Sequence, residues 1–342
     1  TGGIADVSVS GFEFNGITSG TSGALFLGNN SENIIITNNR VINCSDGLRT
    51  ESVLTPGAKD ITVTGNYIKG MTQALGSGIV VGNPSGTSTI SDNKIDLAVS
   101  GTPSGYSGIQ APGANGTIIS GNEISNTTNF GIQVAGTSGN VTIENNDISN
   151  TNSLDLADKG AIRLYGTNFT GPITIRNNKL NNSFNGIAIK NGEDISGKTI
   201  LVTENDLSGN NGTGESSIYN GATAGTLDAV CNWHGTSVVT TVNSEITGSV
   251  DLFSILENGT DNNTSLLGFQ PVPDSCTGLA PVNVYDAEPF DNSSFVSSYF
   301  SIQAAIDDSS TQPNYFVVVD AGTYNEVVSI GKPLSLLGPN EN

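Results

Sequence analysis

The stretch ITVTGNYIKGMTQALGSGIVV, from Ile61 to Val81, holds one cycle of a pattern that recurs along two thirds of the chain: a strand, an Asn turn, a short strand, a loop and a Gly-Ile strand. The turn Asn stands at 39, 66, 93, 122, 146, 178 and 205, with spacings of 27, 27, 29, 24, 32 and 27, and Phe12 lies a further 27 upstream. A period in the twenties marks a solenoid. Each cycle alternates with period two, as in Ile61 and Val63 against Thr62 and Thr64, and none holds the 3.6-residue periodicity of a helical repeat. A leucine-rich repeat would need a Leu spacing that is missing here. The expected fold is therefore all-β, a parallel β-helix of about eight coils in which equivalent residues stack at roughly 4.8 Å.

Stacking turns every column into a ladder. We expect Asn39, Asn66, Asn93, Asn122, Asn146, Asn178 and Asn205 to occupy the left-handed turn position and to bond from coil to coil, with Phe12 starting the stack. Two residues on, Phe14, Val41, Ile68, Ile95, Ile124, Ile148, Leu180 and Leu207 form an inward apolar column. Strands opening with Gly-Leu or Gly-Ile, such as Gly78-Ile79 and Gly131-Ile132, supply another wall. All of this is structural in purpose.

The repeats resemble the right-handed parallel β-helix proteins of the pectate-lyase-like class, and more narrowly the large secreted surface proteins of Bacteroidetes-type bacteria that carry such domains. That resemblance implies an extracellular, cell-surface location. LDAVCNWHGT resembles a motif closing such domains, with His234 in place of a second Trp and Trp233 expected to cap the last coil. FSIQAAIDDSS followed by NYFVVVDAGTYNEVVSI resembles the opening of a β-helix domain, although here it stands near residue 300. Accordingly the expected divisions are 1–222, coils; 223–276, a closing coil and cap; 277–299, a connector; and 300–342, a cap helix with Ser301 as N-cap plus the first coil of a following or neighbouring β-helix.

Composition excludes several partners. The net charge of −20, from 32 acidic and 12 basic residues, opposes nucleic acid and anionic membrane. No stretch reaches the ~20 apolar residues of a membrane span, so no membrane insertion is expected. The opening TGGIADVSVS also lacks the charged and apolar regions of a leader. Of the three cysteines, Cys44 reads as a buried thiol, whereas Cys231 and Cys276 bracket a segment without repeat spacing and are expected to form a disulfide. His234 stands alone, with no CxxC or HxxxH spacing to make a metal set. Calcium is the one cofactor to which an acidic surface is suited; otherwise none is expected.

Enzymes on such folds gather acid, base and metal-binding groups on one face. Here the outward position of the Gly-Ile strand runs Arg49, Val80, Gln110, Gln133, Arg163, Ala188, Tyr219, without a carboxylate. Arg49 and Arg163 lie four coils apart, about 19 Å at the ~4.8 Å spacing. The expectation is a non-catalytic extracellular structural or adhesive surface module whose partners are copies of itself, assembled head to tail into a fibre, or neighbouring β-helix domains. Its docking residues would be Val7, Val9, Phe12 and Phe14 at one end and Ile302, Ile306, Val317 and Val319 at the other. The rival is a polysaccharide-binding protein, or a polysaccharide lyase or glycoside hydrolase, using Gln110, Gln133, Arg163 and Tyr219.

Overall fold

The computed structural model describes residues 4–18, 23–28, 31–50, 59–82, 86, 88–154, 156–166, 168–210, 214–237, 239–252, 254–273, 275–278, 282–290, 294–299, 302–319, 324 and 326–338. Within these residues three parallel sheets wrap one core. The first has ten strands, beginning with Ala5–Ser10, Glu32–Thr37 and Lys59–Thr64; the second has seven, from Glu13–Asn15 to Lys179–Asn181; the third has nine, from Leu25–Leu27 to Ile246–Thr247. Successive strands of a sheet come from successive coils and pair parallel, as Ile34↔Ile61 and Val63↔Ile90 do. The result is an all-β solenoid of about eight turns, with two short helices and a C-terminal sheet.

Period-two alternation produces this shape because one face of each strand must leave water. Ile34, Ile61, Val141 and Ile173 line the core from the first sheet, Ile68, Ile95 and Ile124 from the second, and Ile79, Ile109 and Ile132 from the third; all are at most 1% exposed. Each such side chain contributes on the order of 1.5–3 kcal/mol of burial. Glycine at the head of the third-sheet strands is required by space: a Cβ on Gly131 would lie 2.4 Å from Ile148 Cγ2 and 2.7 Å from the Ala161 carbonyl oxygen.

The stack continues past residue 222. Leu227–Asp228 and Val250–Asp251 add to the first sheet and Ile246–Thr247 to the third. Trp233 is level with Asp206 through a parallel bridge, so it occupies the outward column that begins Arg40, Tyr67, Lys94. It therefore does not cap the core. His234, one residue on, is level with Leu207 and extends the inward apolar column; it is fully buried.

The segment expected to be a connector belongs to a sheet. Val282–Tyr285 and Phe295–Tyr299 pair antiparallel, Val282–Tyr285 pairs antiparallel with Phe316–Val319, and Phe316–Val319 pairs parallel with Ser335–Leu337. The alternating Val282 and Val284 pack with the helix Ile302–Asp307, which explains why these residues join the sheet. Ser301 lies outside the described residues. The helix start is held by Glu326, whose two carboxylate oxygens accept the Ile302 and Gln303 N–H groups at 2.8 and 2.9 Å.

Candidate functional site

The Asn column is built differently from the sequence expectation. The left-handed residue is the one before each ladder Asn: Asn38, Gly65, Asp92, Gly121, Asn145, Asn177, Glu204 and Cys231, with φ from 53° to 64°. This preceding turn residue frees the next one to point inward. Asn39, Asn66, Asn93, Asn122, Asn146, Asn178 and Asn205 are at most 1% exposed. The Oδ1 of each rung after the first accepts both the backbone N–H and the side-chain N–H of the rung before it, at 2.9–3.1 Å. Its Nδ2 also donates to a carbonyl of the preceding coil, as Asn66 does to Ile36 at 3.0 Å. Asn232 is an eighth rung that the sequence reading assigned to the cap: its Oδ1 accepts from Asn205 N and Nδ2 at 3.1 and 2.9 Å. Phe12 begins the ladder only through its N–H, which donates to Asn39 Oδ1 at 3.1 Å; its ring is 58% exposed.

The outward column of the third sheet is brought into register. Arg49, Val80, Gln110, Gln133, Arg163, Ala188 and Tyr219 stand level with one another in successive coils. Their polar groups are tied to neighbours. Gln110 Nε2 donates to Ser77 Oγ and Ser107 Oγ at 2.8 and 2.9 Å. Arg163 is 6% exposed; it donates to Gln133 Oε1, to the Asp158 carbonyl and to Asp158 Oδ2, each at 2.9 Å. Tyr219 donates its hydroxyl to Asn191 Oδ1 at 2.7 Å. Aromatic rings missed by the sequence reading complete this face: Arg163 Cζ lies 5.8 Å from the Phe130 centroid and 5.2 Å from that of Tyr165, and Lys190 Nζ lies 4.6 Å from Tyr165. Burial, and after it the Arg163 charge, lower the Lys159 pKa beside this cluster. Phe130 carried no period-two signal, because pairing between Gly105–Pro112 and Thr127–Ala135 shifts register between Gly105 and Ser107.

A groove of about 300 Å³ runs beside the next corner, lined by Asn126, Asn150, Asn152, Asn182, Phe184 and Glu215 among others. At the far end of the solenoid, Cys231 and Cys276 are joined by the expected disulfide, while Cys44 is a buried free thiol. Asp206 is 9% exposed; burial raises its pKa, and the Ser208 hydrogen bonds oppose that rise. His234 Nδ1 lies 2.8 Å from Ser217 Oγ, its Nε2 has no partner among the described residues, and burial pushes its pKa down to about 4. No group of three or more His, Cys, Asp or Glu among the described residues is placed to hold a metal.

The two expected docking sets differ. Val7, Val9 and Phe14 are half-buried and Phe12 is exposed, so the first coil carries apolar surface. Ile306, Val317 and Val319 are instead buried in a core of their own with Val282, Val284 and Ala305, against which Ile302 packs. Those side chains cannot also dock elsewhere.

Residues 3–171 match the family model described as periplasmic copper-binding protein (NosD), and residues 99–264 match that of the right handed beta helix region. No curated protein matches the chain. The two matches overlap on coils whose stacking and Asn ladder are described above, and the chain is a right-handed parallel β-helix repeat protein.

Proposed function

We propose that the chain is a non-catalytic, exported β-helix module that acts as a structural or adhesive element at the cell surface. The observation that carries this reading is the internal pairing of the outward column: Arg163 is neutralised by Asp158, Gln110 is held by two serines and Tyr219 by Asn191. Groups committed to one another in this way support a rigid wall better than an acid-base centre. The periplasmic description of one matching model agrees with export. Copper does not follow with that likeness, because the soft donors of this chain do not converge. Cys44 and Met71 are fully buried in the core, and His234 lies seven rungs beyond the coil of Cys44, about 34 Å at the ~4.8 Å spacing.

Association with further copies of the chain would use strand edges. Ala5–Ser10 pairs on one side with Glu32–Thr37, and Ser335–Leu337 pairs on one side with Phe316–Val319. Deleting residues 296–342 and following assembly by light scattering and electron microscopy tests this contact; assemblies unchanged by the deletion reject it. A second reading rests on Tyr165, whose ring is 41% exposed between two cations and could stack on a sugar. Incubation with pectin, alginate and other uronic-acid polymers is expected to give no cleavage products. Turnover abolished by one point substitution overturns the non-catalytic reading, and glycan-array binding lost in Tyr165→Ala replaces the inert wall with a lectin-like one.

A further inference from the structure

Loop 257–273 leaves the strand Ser254–Leu256 and returns to Cys276–Gly278, which pairs antiparallel with it. On the way it doubles back on itself through the Asp261↔Pro271 bridge and lies against the solenoid at three points. Gly259 is pressed on the indole of Trp233, where a Cβ would come within 2.2 Å of Nε1. Phe269 is 1% exposed; its N–H donates to the Asn177 carbonyl at 2.9 Å, and Asn177 Nδ2 donates back to the Phe269 carbonyl at 3.2 Å. Gln270 Nε2 donates to Asn145 Oδ1 at 3.2 Å. Asn145, Asn177 and Cys231 occupy the same left-handed turn position in their coils, so the loop runs lengthwise along that column.

Cys231, like Glu204 one coil before it, is a member of the column that is neither Gly, Asn nor Asp. At φ 58° it holds a backbone conformation that costs a residue without a Gly, Asn or Asp side chain about 1–2 kcal/mol. What the position gains is the covalent tie to Cys276 at the base of the loop.

We propose that loop 257–273 is a strap held shut by the Cys231–Cys276 disulfide and released by a dithiol reductant. In that exchange the S–S bond breaks, two electrons and two protons pass to Cys231 and Cys276, and the reductant's own thiols become a disulfide. Without the covalent tie, the three contacts must offset the conformational entropy of the whole loop, which fixed backbone residues oppose at roughly 1–2 kcal/mol each. Release uncovers Trp233, on which Gly259 lies, beside the adjoining outward rung Asp206. It also removes Asp261, whose charge adds to the burial that raises the Asp206 pKa. The coils keep their own ladder and core, since neither passes through the strap.

The chain has one tryptophan, so indole emission reports on this place alone. Reduction of the full chain should red-shift the emission and raise the acrylamide quenching constant several-fold with the far-UV spectrum unchanged. Peptide mapping of labelled thiols establishes that Cys231 and Cys276 are reduced. Gly259→Val, with the disulfide intact, should give the same emission by forcing the strap off the ring. Cys231→Asn with Cys276→Ser should give it without reductant, because Asn suits the left-handed position. Unchanged quenching with both thiols labelled overturns the proposal, as does loss of strand signal in step with release.

Discussion

Ser217 Oγ lies 2.8 Å from Nδ1 of His234, which anchors the only imidazole of the chain to a strand of the third sheet from within the core. Nothing among the described residues meets Nε2, and the ring must stay neutral while it is buried.

Acid should therefore weaken the end of the solenoid. Burial lowers the His234 pKa from 6.5 to about 4, so between those values the unfolded chain binds the proton and the folded one does not. The stabilising contribution is complete above pH 6.5 and is lost as pH falls toward 4, by about 3 kcal/mol in all. Urea unfolding followed by Trp233 emission should show this slope for the parent chain and lose it in His234→Leu, which restores the aliphatic type of Leu207 below. A slope that persists in His234→Leu assigns the acid sensitivity to other groups.

Removing one ladder amide should cost more than removing an exposed one. In Asn122→Ala, Asn93 N and Nδ2 lose their acceptor and the Ile90 and Ser120 carbonyls lose a donor, all next to the core. Buried groups left unpaired cost roughly 1–3 kcal/mol each, so a loss of about 2–4 kcal/mol is expected after partial relaxation. Asn15→Ala, at an exposed position where the side chain makes one 3.3 Å bond to Glu13, should cost under about 1 kcal/mol. Equal losses in chemical unfolding would remove the ladder from the account of stability.

These rungs also show what could be read from residues alone. The 27-residue recurrence of Asn39, Asn66 and Asn93 was legible because stacking demands the same residue type at one place in every coil. Which residue of each turn pair is left-handed was not. Pairs such as Asn38-Asn39 and Asn145-Asn146 offer two residues able to take that conformation, and only burial of the second decides. The roles of Trp233 and His234 were within reach, since Trp233 follows Asn232 as Asp206 follows Asn205. An apparent closing motif outweighed that register. The C-terminal core was hidden because the pairing of Val282–Tyr285 with Phe316–Val319 joins segments about 30 residues apart without a repeat.

Gly131→Ala should destabilise although Ala is otherwise the better residue in an extended strand. The added methyl would stand 2.4 Å from Ile148 Cγ2 and 2.7 Å from the Ala161 carbonyl oxygen, and the backbone contact cannot yield without moving the next coil. Overpacking of this kind costs about 1–3 kcal/mol. Gly192→Ala makes a useful control for crowding, since nothing lies within 4 Å of its added Cβ, although its φ of 84° adds strain of its own. Hydrogen exchange should locate the Gly131 effect in coils on both sides of the substitution, and an effect confined to one strand would contradict the stacking argument.

Arg163 separates a structural wall from a binding face. Its side chain is 7% exposed and that of Asp158 is 20% exposed, so the pair is largely withdrawn from water and Arg163→Ala leaves the Asp158 carboxylate and Gln133 Oε1 without their donor. Partial solvation of Asp158 moderates the loss, which we expect at about 2 kcal/mol. Loop 156–160, which supplies Asp158 and through Ala157 and Lys159 holds Asn185 Nδ2 at 2.7 and 2.6 Å, should then become the first site of proteolytic cleavage. Replacing both members of the pair, with Arg163→Met and Asp158→Asn, should recover most of the stability because no charge is left unpaired. If this face is a wall, the double variant behaves as the parent in every assay of surface association; if it binds a sugar through the Arg163 and Tyr165 cluster, stability returns and binding does not.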